Sequence, residues 1–398
     1  MSLKKNCLLI TDQYFPLPDA NGACLRNLVD ELKTNNFYVD VIASSDNTCS
    51  VEIDSLETIH FIKYDTARDS IIRKLVFYPI RNITQGKSYY YECKSLLQQK
   101  KYNLILFAVN PIESIYPLLR IGSDCQAVKV IYELDSISSQ SFNKKIFSPL
   151  LLLKSHKLEK KCYKKADYII HMECHKAEFE KRKYDVFRSK FRTANFPMIT
   201  SKETNDVIAE TNISSSDYIH FLFCGSLSKG IRNPMPCLKI LEQVAFKGKY
   251  TFDFFTKGDY EEELFALSKK AHIVPHGYVK KNELETYIKK SAFLISIGNL
   301  IDNFVPSKMY SYLSFKKPII HFYEKDSDPC LRYFSNVSHC LFVDVRDGLE
   351  ENVAKILKFI NQDLKLNEFV IPKEFDSCRP DYTVKILESF LNDDTSDK

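Results

Sequence analysis

The chain reads as an α/β protein built of two Rossmann-like domains facing each other across a cleft. Three observations predict this. Short apolar, β-branched runs alternate with helical-period segments in both halves, the pattern of a parallel sheet covered on both faces. The length, 398 residues, suits two domains of ordinary size. The alternation breaks once, over Met198 to Asp217, where Thr, Ser, Asn and Asp are in excess and no aromatic residue occurs. The predicted organisation is a first domain over 1–200, a linker over 201–217 and a second domain over 218–375. A helix and tail over 376–398 are expected to pack back on the first domain.

In the first half, Cys7 to Ile10 is a short buried-type strand. Asp12 to Gly22 is a loop carrying Pro16, Pro18 and an Asn21-Gly22 turn. Ala23 to Lys33 follows as a helix, with Leu25, Leu28, Val29 and Leu32 on one face. Further strands are predicted at Tyr38 to Ala43, Ile59 to Tyr64, Asn103 to Val109, Val128 to Tyr132 and Tyr168 to Ile170, with helical segments between them. In the second half, strands are predicted at Tyr218 to Cys224, Tyr250 to Thr256, His272 to Pro275, Phe293 to Ile297, Ile319 to Phe322 and Cys340 to Val343. Helices over Asn233 to Phe246, Asp259 to Ala271, Lys281 to Lys290 and Gly348 to Ile360 separate or follow them. A last helix covers Asp381 to Leu391.

Composition narrows the function. The hydrophobic fraction of 44% and charged fraction of 27% are those of a soluble globular protein. A net charge of +5 is too small to point to nucleic acid, and no nucleic-acid module is recognisable. The 12 cysteines form no CxxC pair and no Cys/His cluster of metal-ligand spacing. Cys7 and Cys224 sit in apolar strands, where a reduced thiol behaves as a small hydrophobe, so a reducing cytosol is expected. Lys4 and Lys5 precede too short an apolar run for a signal peptide, and runs such as Pro149 to Leu153 are far below membrane-spanning length. His171, His175 and His276 are not spaced as metal ligands and read as structural or rim residues.

The chemistry gathers in the stretch GNLIDNFVPSKMYSYLSFKKPIIHF, which reads as loop, helix, turn and strand. Val305-Pro306-Ser307-Lys308 opens the helix; proline is tolerated in a first turn because its missing N–H has no partner there. The free amides of that turn and the helix dipole suit an anion, and Lys308 adds a mobile positive charge. This makes a pyrophosphate cradle at the carboxyl end of a parallel strand, where open α/β sheets bind ligands. An ordinary helix start with a solvated lysine has the same pattern.

With FCGSLSKGIRNP after the first strand of the second half and a glycine-containing loop after the first strand of the chain, this stretch resembles the GT-B glycosyltransferases. The likeness is to the retaining, nucleotide-sugar-dependent group that includes bacterial cell-surface polysaccharide enzymes. It implies that Gly225 and Ser226 let the donor approach the backbone, and that Arg232 and Lys308 clamp its diphosphate, Lys229 being a weaker candidate. The arginine fork can hold two phosphate oxygens, although a surface salt bridge would use the same residue. Gly277 and Tyr278 correspond to the segment that approaches the base, where Tyr278 can stack or simply pack. Gly298 and Asn299 would line the sugar end of the pocket, and Pro306 and Ser307, opening the helix, would also meet the donor. Many relatives carry two glutamates eight positions apart; here those positions hold Asn303 and Ser311, neither of which brings a charge. Ser311 lies one turn after Ser307 on the same helical face.

In the first half, the resemblance puts Gly22 in the glycine loop that approaches the diphosphate or acceptor, a plain turn being the alternative. Relatives carry a histidine-aspartate pair near IYELD; this chain has Leu134-Asp135. Asp135 or Glu133 could orient the acceptor hydroxyl or take its proton, or could cap the next helix. Lys144 to Lys165 is a basic amphipathic segment able to lie on an anionic membrane beside a lipid-linked acceptor, or to be a solvated helix face. The resemblance thus implies a cytosolic, membrane-peripheral glycosyltransferase. Its donor would be a nucleotide sugar, expected to carry uridine diphosphate, and its acceptor a saccharide or lipid-linked saccharide. It would need no metal. Two other functions fit the same residues: a catalytically weak nucleotide-sugar-binding subunit of a partner transferase, and a sugar-nucleotide epimerase of the same fold.

Overall fold

The structure is a computed structural model. It describes residues 4–396 apart from 13, 15–19, 46–49, 64–79, 81, 110–111, 123, 135–136, 138–147, 174–175, 177–179, 181–183, 201–217, 270–271, 280, 301–304 and 363–368. The chain forms two compact units, one comprising Met1–Pro197 with Ser377–Lys398, the other Met198–Asp376.

The first unit runs β1 (Lys5–Ile10), α1 (Ala20–Thr34), β2 (Phe37–Ser45), β3 (Ser50–Asp54), β4 (Glu57–Lys63), α2 (Ile83–Gln99), β5 (Leu104–Ala108), α3 (Tyr116–Arg120), β6 (Val128–Glu133), α4 (Ser148–Lys165), β7 (Tyr168–Met172) and β8 (Phe191–Ala194). Its sheet has the order β3-β4-β2-β1-β5-β6-β7-β8. Only β3 pairs antiparallel, against β4. All five residues of β5 are buried, as expected of a central parallel strand with helices on both faces. The helix α1 starts at Ala20, so Asn21 and Gly22 lie in its first turn rather than in a turn before it. Cys24, Leu25, Leu28 and Val29 are fully buried, and burying that face outweighs the turn preference of Asn-Gly. The edge strands β3 and β8 were not expected: SVEID is polar and mostly exposed, and FRTA is four residues long.

The second unit runs β9 (Ile219–Cys224), α5 (Met235–Ala245), β10 (Tyr250–Phe255), α6 (Glu261–Ser268), β11 (Ile273–Pro275), α7 (Lys281–Lys290), β12 (Phe293–Ile297), α8 (Ser307–Ser314), β13 (Ile319–Tyr323), α9 (Pro329–Tyr333), β14 (Cys340–Asp344) and α10 (Leu349–Ile360). Its strands are all parallel, in the order β11-β10-β9-β12-β13-β14. Alternate residues Phe221, Phe223, Phe252 and Phe254 share a buried core with Leu238 and Leu241 of α5 and Ile356 of α10. Phe221 stacks on Phe293 with centroids 4.8 Å apart. Each such phenylalanine contributes about 2–3 kcal/mol by leaving water. The strand order jumps from β9 to β12, which opens a crevice at their carboxyl ends.

The last helix, α11 (Pro380–Ser396), returns to the first unit, packing on α1, β6 and β8. Phe390 stacks flat on Tyr168, centroids 3.8 Å apart. Among the described residues, no helix is long and apolar enough to cross a membrane.

Candidate functional site

Polar groups converge at the β9–β12 crossover of the second unit. The chain leaves β9 through Gly225 and Ser226 and makes a tight turn in which the Ile231 and Arg232 amides donate to Ser228 O. Gly230 supplies its left-handed φ of +82°. The turn carries the Arg232 guanidinium back over the strand end. There Nη1 donates to Ser226 O at 3.0 Å and Nη2 to Asn299 Oδ1 at 2.8 Å. Nε is buried and has no hydrogen-bond partner among the described residues. Leu300 N–H donates to Ile231 O at 2.7 Å, so the loops after β9 and after β12 are stitched together. Burial pulls the Arg232 pKa below its ordinary value, an effect partly offset by Tyr312, Cys330 and Asp328. Anionic oxygens near the fork would restore the favourable field lost on burial.

The loop after β12 is fixed from below. Gly298 N–H donates to Phe322 O at 2.8 Å. A Cβ on Gly298 would stand 2.1 Å from Asp328 Oδ2, so only glycine fits against that carboxylate. Asp328 caps α9 by accepting from Cys330 N–H at 2.8 Å, and its other oxygen meets His321 Nε2 at 3.3 Å. His321 Nδ1 in turn meets Ser296 Oγ at 3.0 Å. Burial would raise the Asp328 carboxyl, but the His321 contact and the Cys330 amide outweigh it and hold it below the usual range.

The helix α8 is pinned by Tyr312, which is fully buried. Its hydroxyl accepts from Cys224 N–H at 3.0 Å and donates to Ile295 O at 3.1 Å. One side chain therefore ties the helix to the ends of both β9 and β12. At the start of α8, Pro306 offers no side-chain cap, and the first-turn amides suit an anion. Lys308 is half-buried and makes no ion pair among the described residues.

The sequence-predicted residues distribute as follows. Gly225, Ser226, Arg232, Gly298 and Asn299 form one cluster; a Cβ on Gly225 would stand 3.2 Å from Arg232 Nη1. Pro306, Ser307 and Lys308 start α8 as expected. Ser311 is half-buried, and its hydroxyl donates to Lys308 O at 3.0 Å, within its own helix. Lys229 is turned away: its amide donates to Asp259 and its ammonium lies over the Tyr260 ring. Gly277 is left-handed at φ +68°, and Tyr278 is 56% exposed, so it does not pack. Asn303 and Asp135 lie outside the described residues. Glu133 is fully buried at the end of β6 and accepts from Tyr163 O–H at 2.8 Å; it faces the core of the first unit rather than an open strand end. Gly22 is buried within α1, not in a loop. Sequence reasoning missed Tyr312 and the Ser296–His321–Asp328 chain. It also missed the Asp253 carboxylate, which holds His220 and His276 at 2.8 and 2.7 Å. His276 is stacked on Phe255, a structural role.

No family model matches the sequence, and no curated protein matches it. Solved structures do match in fold. A glycosyltransferase from Rickettsia africae ESF-5 matches with a TM-score of 0.60 at 10% identity, over 100% of this chain and 100% of that one. The catalytic domain of starch synthase IV from Arabidopsis thaliana, bound to ADP and acarbose, matches with a TM-score of 0.59 at 10% identity, over 99% and 100%. The fold is that of the GT-B glycosyltransferases. A UDP-N-acetylglucosamine 2-epimerase shares it, with a TM-score of 0.53 at 11% identity over 94% of this chain and 93% of that one. At these identities the likeness is one of GT-B fold. What the site does has to come from its own groups.

Proposed function

We propose that the chain is a retaining glycosyltransferase. It would move a sugar from a nucleoside diphosphate, with uridine diphosphate as the expected carrier, to a saccharide or lipid-linked saccharide in cell-surface polysaccharide synthesis. The observation that carries the reading is the Arg232 fork, held by Ser226 O and Asn299 at the strand crossover of the second unit. Breaking the sugar–phosphate bond leaves negative charge on the departing diphosphate. Fixed cations aimed at that charge act most strongly in the transition state. Arg232, Lys308 and the first-turn amides of α8 supply them, so the diphosphate needs no metal of its own. Front-side displacement with retention asks for no protein nucleophile, which suits a donor site of cationic and neutral groups. On the acceptor side Asp135 remains the candidate for handling the acceptor hydroxyl.

Docking beside a lipid-linked acceptor would fall to α4. Lys157, Lys160, Lys161 and Lys164 are exposed along it with Leu153, while its one acid, Glu159, is buried against Tyr184. Such a face suits an anionic membrane.

The fold likeness to a UDP-N-acetylglucosamine 2-epimerase supports a second reading, since the same cluster would hold the donor of an epimerase. One experiment separates the two. The purified chain is incubated with nucleoside diphosphate sugars, with and without saccharide acceptors, and the products are identified. Transfer that depends on acceptor supports the transferase; epimerised donor without acceptor supports the second reading. Binding without turnover across the acceptors would point to a subunit of a partner enzyme. If no nucleoside diphosphate or its sugar raises the melting temperature, the reading fails.

A further inference from the structure

Beneath the Gly298–Asn299 turn lies a group of donors that the proposed transfer does not use. His321, Asp328 and Cys330 are 0%, 4% and 0% exposed. Their nitrogen, oxygen and sulfur atoms all lie within 4.8 Å of one another. The His321 Nε2 to Asp328 Oδ2 separation is 3.3 Å. Two ligands at about 2.0 Å from a tetrahedral zinc ion stand about 3.3 Å apart, so this pair already has the edge length of such a site. The thiol has at most about 1.3 Å to close to reach its own edge, within reach of a turn about χ1.

The surroundings are those of a ligand set. Ser296 holds Nδ1 of His321 and, being a hydroxyl, can accept its N–H and so leave Nε2 free for a metal. The Cys330 amide orients Asp328 through the oxygen that would not bind. The three donors come from the middle of β13 and the start of α9, so they are placed by regular elements.

We propose that His321 Nε2, Asp328 Oδ2 and the Cys330 thiolate form a buried structural site for zinc or a zinc-like divalent cation. Binding releases the thiol proton to solvent. The bound ion, one thiolate, one carboxylate and a neutral imidazole then sum to no net charge, which makes the nearby Arg232 tolerable. Three protein donors leave the fourth position open, so the ion should be removable by chelators. Its place under Gly298 means that it would stiffen the turn holding Asn299, and through it Arg232. The proposal stands apart from the donor chemistry, and its test uses no nucleotide.

The test is titration of the chelator-treated full chain with cobalt(II), then displacement by zinc, followed in the near-ultraviolet and visible. The expected result is one equivalent bound with a thiolate-to-cobalt band and the visible bands of a tetrahedral ion. Cys330→Ser should abolish the thiolate band. Ser296→Ala, which leaves all three ligands in place, should weaken binding by about tenfold or more. His276→Asn, at the separate His276–Asp253 pair, should leave the cobalt spectrum unchanged. The proposal is overturned if micromolar metal gives no tetrahedral spectrum, if the thiolate band survives in Cys330→Ser, or if His276→Asn removes it. Should Cys330→Ser fail to fold, an unaltered affinity in Ser296→Ala overturns it equally.

Discussion

Arg232→Ala is the perturbation that bears most directly on the proposed donor site. In the free protein Arg232 makes two hydrogen bonds, to Ser226 O and Asn299 Oδ1, worth about 1 kcal/mol each in stability. Against them stands the cost of keeping a guanidinium where burial already lowers its pKa. The terms oppose each other, so the variant should melt within a few degrees of the natural protein. Binding is another matter. Losing charge-assisted bonds to a diphosphate costs about 1.5–3 kcal/mol, which is about 10- to 150-fold in affinity. At a concentration of UDP about 100 times its dissociation constant, the natural protein gains about 2.7 kcal/mol, or roughly 5–10 °C for a unit of this size. A 100-fold weaker variant gains only about 0.4 kcal/mol at the same concentration, roughly 1 °C. Arg232→Lys keeps the charge but not the fork and should fall between the two. The assay is differential scanning fluorimetry with and without UDP. A full shift in both variants would refute the assignment of Arg232 to the diphosphate.

Three further outcomes follow from the same geometry. Gly298→Ala drives a Cβ to 2.1 Å from the Asp328 carboxylate, and urea unfolding should show a loss of about 1–3 kcal/mol. Tyr312→Phe strands the Cys224 amide that its hydroxyl satisfies; a loss of about 1–3 kcal/mol is expected by the same method, with a smaller UDP shift because α8 loosens. Lys317 is 2% exposed, donates to the carbonyls of Lys289 and Ser291, and burial lowers its pKa from 10.5 to about 8. Between those values the unfolded chain binds more protons than the folded one, so this group's contribution to stability rises with pH, by up to about 3 kcal/mol. Buried thiols such as Cys7 and Cys162, pushed up by burial, lower the stability of both proteins over the same range, so the urea-unfolding free energy of the natural protein minus that of Lys317→Met is the quantity that should rise from pH 8 to 10.5.

The architecture was legible because parallel strands carry their burial in their composition. FLISI is apolar but for Ser296 and buried throughout, and β12 covers Phe293 to Ile297, the residues expected. LILFA, buried at all five positions, was found on the same ground. The elements that were missed lack that signal: β3 is a polar edge strand, held by pairing with β4 alone. The start of α1 was misplaced because Asn-Gly favours a turn locally, while a buried face formed by residues further along decides the helix.

The candidate site was legible in its residue types and not in its contacts. Arg232 and Asn299 were both named as candidates, yet nothing in their surroundings says that they touch: they are 67 positions apart. They meet because the sheet places β12 beside β9, after the chain has gone out to β11 and returned. The same crossover brings Tyr312 to Cys224 and Ile295. Glu133 shows the converse. A carboxylate at a strand end reads as catalytic, but α4 lays Tyr163 against it and closes it into the core. Side chains that read alike in sequence are separated by which neighbour the strand order supplies. For this chain that neighbour turns an arginine in a loop into a tethered cation at the end of a parallel sheet.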